Sequence, residues 1–145
     1  MKLKIKKLNE NVKIPSYAHE GDAGLDLTAL KIIENNEQFL SYGTGVHLEI
    51  PDGFVGLIFP RSSITKKDLM LKNSVGVIDS SYRGEIQLRF FKTKIFRESW
   101  EENYYKIGEK IGQLIILPIP KINFEEVKDL SSTERGTNGF GSTGK

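Results

Sequence analysis

The chain has 145 residues, with 21 Lys+Arg against 19 Asp+Glu, two His and no Cys. This length suits one domain, and a net charge of +2 is too small to indicate a polyanionic partner such as duplex DNA. The absence of Cys excludes disulfide scaffolds, thiol nucleophiles and Cys-ligated zinc sites. The apolar runs are too short to span a membrane and the N-terminus has no signal-peptide pattern, so we expect a cytoplasmic protein without membrane or direct nucleic-acid partners.

Apolar and polar residues alternate with period two along most of the chain, which is typical of short β-strands. In chain order, we expect strands at 3–5, 46–50, 54–59, 75–78, 86–91 and 111–119, separated by turn residues at 20–22, 42–45, 51–53 and 106–108. Only 62–71 could form a helical turn or two, with Ser62 or Ser63 as its N-cap. The pattern predicts an all-β sandwich or barrel, as one domain over residues 1–130.

The last fifteen residues, 131–145, differ from the rest because they hold four of the 14 glycines. Such a segment buries too little surface to offset its ordering entropy, so it is either a frayed terminus or a mobile binding arm. Arg135, Phe140 and several hydroxyls among the glycines favour the arm. Exposed backbone N–H groups, hydroxyls such as that of Ser142, and Arg135 could wrap a phosphate chain.

Asp79 lies at the end of one apolar strand and before the next, where a carboxylate can hold a water molecule as a general base. From the residues alone, a turn-forming Asp is the alternative. Tyr82, three residues later, would point its flat face into the same hairpin mouth or pack across the strands.

Three further positions add charged or amide groups beside apolar strands. Arg61, Ser62 and Ser63 offer a guanidinium fork and paired hydroxyls to a phosphate, although a plain surface turn is the alternative. Asp26 puts a charge into an apolar strand, which costs free energy unless the carboxylate is paired or solvated. Gln113 places an amide within another apolar strand.

These residues belong to five short motifs that follow one another along the chain. The motifs are Ala-Gly-x-Asp-Leu, Pro-Arg-Ser-Ser, Gly-Val-Ile-Asp-x-x-Tyr-Arg-Gly-Glu, Gly-x-Lys-Ile-Gly-Gln and Arg-Gly-x-x-Gly-Phe-Gly-Ser-Thr-Gly. In this order they resemble the five motifs of the trimeric dUTPases, a family of all-β dUTP diphosphatases. The resemblance spans residues 23–144, and its third and fifth motifs are highly specific.

The resemblance implies a distorted jelly roll closed into a homotrimer, in which each active site draws on all three subunits and the arm crosses to a neighbour. It implies hydrolysis of dUTP to dUMP and pyrophosphate, which keeps uracil out of DNA and supplies dUMP for dTMP synthesis. Mg²⁺ would be the cofactor, held mainly by the substrate phosphates. Asp26 would support the water shell of the metal indirectly, or support the geometry of its motif.

Carried over by motif, Asp79 would activate the water that attacks the α-phosphorus. Tyr82 beneath the deoxyribose would leave no room for a 2′-hydroxyl, Phe140 would stack over uracil, and Arg135 would reach the γ-phosphate. The other substrate-binding residues would be Arg61, Ser62, Ser63 and Gln113 for the phosphates, Asn73, Val77, Ile78 and Gln87 for uracil, and Gly141 and Ser142 in the arm.

Two features depart from the family pattern. Lys110 stands where the fourth motif usually has Arg, so its pairing partner is open. The segment Phe91–Tyr105 is longer than in compact members of the family. Its aromatic residues either cap the core or form an exposed patch for a protein partner; they include Phe96, Trp100, Tyr104 and Tyr105.

Three other functions compete with dUTP hydrolysis. A dCTP deaminase, or a bifunctional relative on the same fold, shares a Pro-Arg-Ser-Ser-like segment but lacks the Asp-x-x-Tyr pair and the Phe-containing arm. A dUTP-sensing regulatory protein would use the same site, as an added role. A purely structural jelly-roll module would explain the strands but not Asp79, Arg135 and Phe140 in their motifs.

Overall fold

The computed structural model describes residues 1–93 and 103–139 and arranges them as two antiparallel β-sheets with one 3₁₀ helix. The strands are β1 (Lys4–Lys7), β2 (Leu25–Thr28), β3 (Lys31–Asn35), β4 (Phe39–Glu49), β5 (Phe54–Phe59), β6 (Leu69–Leu71), β7 (Gly76–Ile78), β8 (Glu85–Lys92) and β9 (Lys110–Pro118), and the helix covers Ser62–Lys66. The first sheet has the order β1-β4-β8-β6, with β3 also paired to β4, and the second has the order β2-β9-β5-β7. The predicted all-β class is confirmed.

The core lies between the two sheets because each strand presents alternate residues inward. The long strand β4 contributes Leu40 and Tyr42, and β8 contributes Leu88 and Phe90, all of them buried. The buried Tyr42 hydroxyl donates a hydrogen bond to the Tyr105 carbonyl at 2.6 Å, and burial raises the pKa of Tyr42 well above its usual range. Each such side chain stabilises the fold by about 1.5–3 kcal/mol through apolar burial.

The turn predicted at 42–45 is wrong, because these residues lie inside β4. Gly43 and Gly45 instead allow a close approach of neighbouring side chains. A Cβ atom on Gly43 would come within 2.5 Å of Glu85 Oε1, and Gly45 has a φ of +71° at a shift in the β4–β8 register. The Glu85 side chain accepts a hydrogen bond from the Gly45 amide at 2.8 Å, so the glycines let β8 lie close to a bulged β4.

The segment predicted as helical at 62–71 divides into two elements. The 3₁₀ helix covers Ser62–Lys66, and the remaining apolar residues form β6. Arg61 occupies the N-cap position without a side-chain cap hydrogen bond, so the prediction of Ser62 or Ser63 as N-cap is wrong. Strand β3 was not predicted, since its sequence Lys-Ile-Ile-Glu-Asn has no clear alternation.

Asp68 joins the two ends of the long connection between β8 and β9. Its carbonyl accepts a hydrogen bond from the Thr93 amide at 3.0 Å. Its amide donates to the Asn103 carbonyl at 3.1 Å, and its carboxylate accepts from the Asn103 amide at 3.2 Å. The described residues on either side of 94–102 therefore meet at one point, which we call the Asp68 clamp.

We expect replacement of residues 94–102 by a short Gly-Ser linker to leave the melting temperature nearly unchanged. The clamp holds both flanks, and loop-closure entropy depends weakly on length. Differential scanning calorimetry would check this. The matched comparison is Asp68→Ala in the full chain, which keeps the two backbone hydrogen bonds of the clamp and removes the one accepted by the carboxylate. It should lower the melting temperature by a few degrees, about 0.5–1.5 kcal/mol of lost hydrogen bonding. A linker variant less stable than Asp68→Ala would contradict the expectation.

Candidate active site

A first cleft opens at the connection between β7 and β8, which belong to different sheets and do not form the predicted hairpin. It encloses about 270 Å³. Its lining includes five of the predicted site residues, namely Val77, Ile78, Asp79, Tyr82 and Gln87. The predicted catalytic and sugar-facing residues are thus brought together around one connection, and we call this cleft the hairpin cleft after the predicted hairpin.

Asp79 is the first residue after β7 and its side chain is exposed. Its carbonyl accepts the Tyr82 amide at 3.1 Å, which closes a tight turn. The Asp79 carboxylate makes no hydrogen bond or ion pair with any residue in 1–93 or 103–139. It is therefore free to accept a proton from a water molecule in the hairpin cleft.

Tyr82 is held in place from several directions. Its hydroxyl donates to the Glu85 carbonyl at 3.1 Å, and its ring lies so close to Gly84 that a Cβ atom there would collide with it. Arg83 donates to the carbonyl of Tyr82 at 2.9 Å and to that of Ser80, which ties the loop to itself. With 44% of its surface exposed, the Tyr82 ring forms a fixed wall of the cleft.

Asn73 lies outside the lining of the hairpin cleft. It occupies the turn between β6 and β7, where its side-chain amide nitrogen would lie 3.1 Å from a Cβ atom on Gly76. Asn73 therefore borders the start of β7, whereas Asp79 follows its end. A molecule that contacts both Asn73 and Asp79 would lie along the length of β7.

A second and larger cleft, of about 540 Å³, lies among the ends of β2, β5 and β9. Four predicted site residues line it: Asp26, Arg61, Ser62 and Gln113. The Gln113 side chain donates to the Pro60 carbonyl at 3.3 Å and fills the space that a Cβ on Gly24 would need. Because Arg61 and Ser62 follow β5 directly, the strand places a cation and a hydroxyl at the mouth of this cleft, which we call the phosphate cleft.

Ser63, also predicted to hold phosphate, is not among the residues that line the phosphate cleft. Its Oγ lies 3.2 Å from the Tyr105 hydroxyl, in a partly buried contact. Burial raises the pKa of Tyr105, so this hydroxyl stays protonated at neutral pH and can donate to Ser63. The side chain of Ser63 thus supports the 3₁₀ helix in the described arrangement.

Asp26 is paired, as a charge within a buried strand requires. Only 8% of its surface is exposed. Arg61 Nε lies 2.8 Å from Asp26 Oδ1, and Lys110 Nζ lies 2.7 Å from Oδ2. Lys110, whose partner the sequence left open, therefore pairs with Asp26.

The two clefts lie at opposite ends of β5. In the antiparallel pairing, Ile78 faces Gly56, so Asp79, the next residue, lies beside the beginning of β5. Arg61 is five residues further along the chain than Gly56, which at about 3.3 Å per residue is roughly 16 Å. Within one chain, the free carboxylate and the phosphate cleft are thus far apart.

Beyond β9 the described residues form no strand or helix and are almost all exposed. Arg135 Nε donates to the Asn138 carbonyl at 3.0 Å, and the hydrogen bonds of residues 131–139 with described residues are all local. Phe140, Gly141 and Ser142, three predicted arm residues, lie outside the described part of the chain.

The aromatic residues of Phe91–Tyr105 that the structure describes belong to the core. Tyr105 is buried, with its ring centroid 5.8 Å from that of Phe90, and Tyr104 packs against the same core. For these two, the core-capping interpretation is right. Phe96 and Trp100 lie outside the described residues, so the partner patch stays a prediction.

Asp22 is a cleft residue that sequence reasoning missed. It lines the phosphate cleft, where its carboxylate accepts the His19 amide at 2.8 Å. Its position after Gly21 indicated only a turn, and it does form one. Nothing local in the sequence indicates that this turn borders the cleft.

A family model described as dUTPase matches residues 10–144. The chain belongs to the dUTPase family. It is therefore an enzyme of the dUTP diphosphatase class, and the deaminase alternative is not favoured. None of the helices in the described residues is long and apolar enough to cross a membrane.

Two relatives are similar in sequence to this chain along nearly its whole length. The deoxyuridine 5′-triphosphate nucleotidohydrolase of Clostridium tetani is 45% identical over 147 residues, with 99% of this chain and 97% of the relative covered. That of Clostridium acetobutylicum is 43% identical, with 98% and 96% covered.

Solved dUTPase structures are similar to this chain in fold. The dUTPase of Staphylococcus bacteriophage 80alpha with dUPNHPP matches at a TM-score of 0.75 and 31% identity, covering 99% of both chains. A dUTPase of phage phi11 of S. aureus, in a structure that concerns a structural Mg(II) ion, matches at 0.73 and 26% identity, covering 91% of this chain and 100% of that one.

Proposed function

We propose that this dUTPase converts dUTP to dUMP and pyrophosphate, with Asp79 as the base that takes a proton from the attacking water. The observation that carries the proposal is the unpaired, exposed Asp79 carboxylate beside the fixed Tyr82 ring in the hairpin cleft. A carboxylate held by a tight turn can align water with the α-phosphorus. In the cytoplasm, this reaction would keep uracil out of DNA and supply dUMP for dTMP synthesis.

The phosphate cleft has the groups that a triphosphate needs. Arg61, Ser62 and Gln113 line it together and offer donors to phosphate oxygens. The negative charge that shifts between oxygens during phosphoryl transfer would be offset by these donors.

The residues of the two clefts fit a Mg²⁺ ion that is held mainly by substrate. Among the described residues, no group of three or more His, Cys, Asp or Glu could hold a metal. Mg²⁺ commonly keeps several waters and binds substrate phosphates with few protein carboxylates. When bound, it would neutralise charge on the triphosphate, while Arg61 and Ser62 hold phosphates in either case.

The complete site would be assembled from more than one copy of the chain, as a homotrimer. A base beside the α-phosphorus and donors on the neighbouring phosphates must lie within a few ångströms of one substrate, yet Asp79 and Arg61 of one chain flank opposite ends of β5. The exposed apolar side chains after β9 also favour a cover by a second copy: Phe124 is 98% exposed and Leu130 is 88% exposed. The arm, 131–145, would close over the site with Arg135 on the γ-phosphate and Phe140 on uracil, aided by Gly141 and Ser142.

Selection of the nucleobase would depend on β7 and the residues around it. The backbone of Val77 and Ile78, with Asn73 and Gln87 nearby, would hydrogen-bond the uracil edge. Cytosine would be rejected because its exocyclic amine reverses a donor and an acceptor. Thymine would be rejected by a close fit at C5.

Tyr82→Ala is expected to raise turnover of UTP relative to dUTP by about tenfold or more, because removal of the ring makes room for a 2′-hydroxyl. Tyr82→Phe is the matched control, since it keeps the ring and loses only the hydrogen bond to Glu85. The ratio of kcat/KM values for the two nucleotides would be measured in each variant. An unchanged ratio in Tyr82→Ala would refute the sugar-gate role.

Pyrophosphate release from dUTP, dCTP, dTTP and UTP, with and without Mg²⁺, tests the proposed function directly. We expect fast, Mg²⁺-dependent release from dUTP alone. Ammonia release from dCTP would instead indicate a deaminase activity. Light scattering of the same preparation would test the trimer.

A further inference from the structure

The carboxylate of Glu85, the first residue of β8, joins the end of the loop that carries Asp79 and Tyr82 to strand β4. We propose that Glu85 is a positioning residue that acts through the Tyr82 ring and thereby sharpens the choice of deoxyribose over ribose. This inference rests on the proposed function, because it concerns the substrate of the hairpin cleft.

The Glu85 side chain lies where the hydrogen-bond ladder between β4 and β8 is interrupted. Glu85 faces His47 and Gln87 faces Gly43, so three residues of β4 lie opposite one residue of β8. Within this bulge, the amide of Gly45 donates to Glu85 Oε1 at 2.8 Å. The carboxylate thus satisfies a backbone N–H group that the regular ladder leaves without a partner on β8.

Lys31 holds the second oxygen of the same carboxylate. Its Nζ lies 3.1 Å from Glu85 Oε2, and only 12% of the Glu85 side chain is exposed. Burial of a carboxylate is unfavourable unless the group is both paired and hydrogen-bonded, and both conditions are met here. Because the two oxygens have partners on two different strands, β4 and β3, the direction of the Glu85 side chain is fixed.

The backbone next to this anchor is the surface on which the Tyr82 ring lies. The Tyr82 hydroxyl donates to the Glu85 carbonyl at 3.1 Å, and the ring packs so closely on Gly84 that a Cβ atom there would collide with it. Gly84 and Glu85 are adjacent, so a shift of the Glu85 backbone moves both contacts of the ring. A group that selects between two substrates must be held to within about 0.5 Å.

Other contacts keep β8 and the loop on β4 when the carboxylate is removed. The hydroxyl of Thr44 donates to the Ile86 carbonyl at 2.7 Å, and Nδ1 of His47 lies 3.0 Å from the Arg83 carbonyl oxygen. Loss of the Glu85 carboxylate should therefore displace the ring without unfolding the loop.

The test is the kcat/KM for UTP divided by that for dUTP, measured by pyrophosphate release. We expect Glu85→Ala to raise this ratio about fivefold, less than the change expected for Tyr82→Ala, because the ring is displaced rather than removed. Glu85→Gln keeps an oxygen that can accept the Gly45 amide and should hold the ratio within about twofold of wild type. In a Tyr82→Ala background, Glu85→Ala should not change the ratio further.

Glu85→Asp gives an independent arm of the test if Glu85→Ala fails to fold. It keeps the charge but withdraws the carboxylate by one methylene, so it should raise the ratio where the uncharged Glu85→Gln does not. Glu37→Ala removes an exposed carboxylate between β3 and β4 and should leave the ratio unchanged. Calorimetry with the dUTP analogue dUpNHpp verifies that the site is formed in each variant.

Two outcomes would overturn the proposal. The first is a wild-type ratio in both Glu85→Ala and Glu85→Asp, including a loss of turnover that is equal for the two nucleotides, as a purely structural role predicts. The second is an increase of the same size in the Tyr82→Ala background, which would show that Glu85 acts independently of the ring. Failure of the proposed function is distinguished from both, because the wild-type enzyme would then release no pyrophosphate from dUTP.

Discussion

Asp79→Asn is expected to lower kcat for dUTP by about 10³-fold, within the range of a lost general base, while the Kd for dUpNHpp changes by less than about twofold. The amide has the shape of the carboxylate but cannot accept a proton from water. The Asp79 side chain is exposed and makes no hydrogen bond or ion pair with the described residues, so its replacement should not disturb the loop between β7 and β8. Steady-state kinetics and calorimetry on the same preparation give both numbers.

Asp52→Asn is the matched control for this variant, because Asp52 is an exposed Asp in the turn between β4 and β5. It should leave kcat unchanged. Full turnover by Asp79→Asn would refute the base assignment. Weakened analogue binding with normal kcat would instead give Asp79 a binding role.

Deletion of residues 131–145 is expected to reduce turnover by at least about 10²-fold, comparable to the loss of a donor that acts on the transition state. The deletion removes Arg135, which we place on the γ-phosphate, together with Phe140. The melting temperature and the oligomeric state should not change, since hydrogen bonds within 131–139 are local and its side chains are exposed or nearly so.

The point variant Arg135→Gln separates charge from the rest of the arm. It should weaken dUTP binding while leaving the melting temperature at the wild-type value. Loss of folding or of assembly on deletion would count against a mobile arm, and so would undiminished turnover.

Where sequence and structure agree on the fold, the signal was local. Strand β5 coincides with the predicted 54–59 because an uninterrupted apolar run between two turns has one simple interpretation. The turn predicted at 42–45 failed for a long-range reason: its glycines accommodate Glu85 and Lys31, from β8 and β3. A glycine required by a distant side chain has the same local pattern as a glycine required by a turn.

In the candidate site, too, local features could be predicted from the sequence and long-range contacts could not. Asp79 and Tyr82 share the short loop between β7 and β8, so their proximity could be predicted from their spacing. The partners of Asp26 come from the ends of β5 and β9, 35 and 84 residues away along the chain, and only the sheet order brings them together. The separation of the two clefts along β5 depends on strand register, which the motifs do not specify.

The Asp68 clamp has a consequence for how chains of this fold can change over evolutionary time. Because Thr93 and Asn103 already meet at one residue, an inserted stretch begins and ends at nearly the same place. Each doubling of its length then costs only about 0.6 kcal/mol of closure entropy. This position can therefore acquire new sequence, even an added recognition module, at little risk to the two sheets that position the active site.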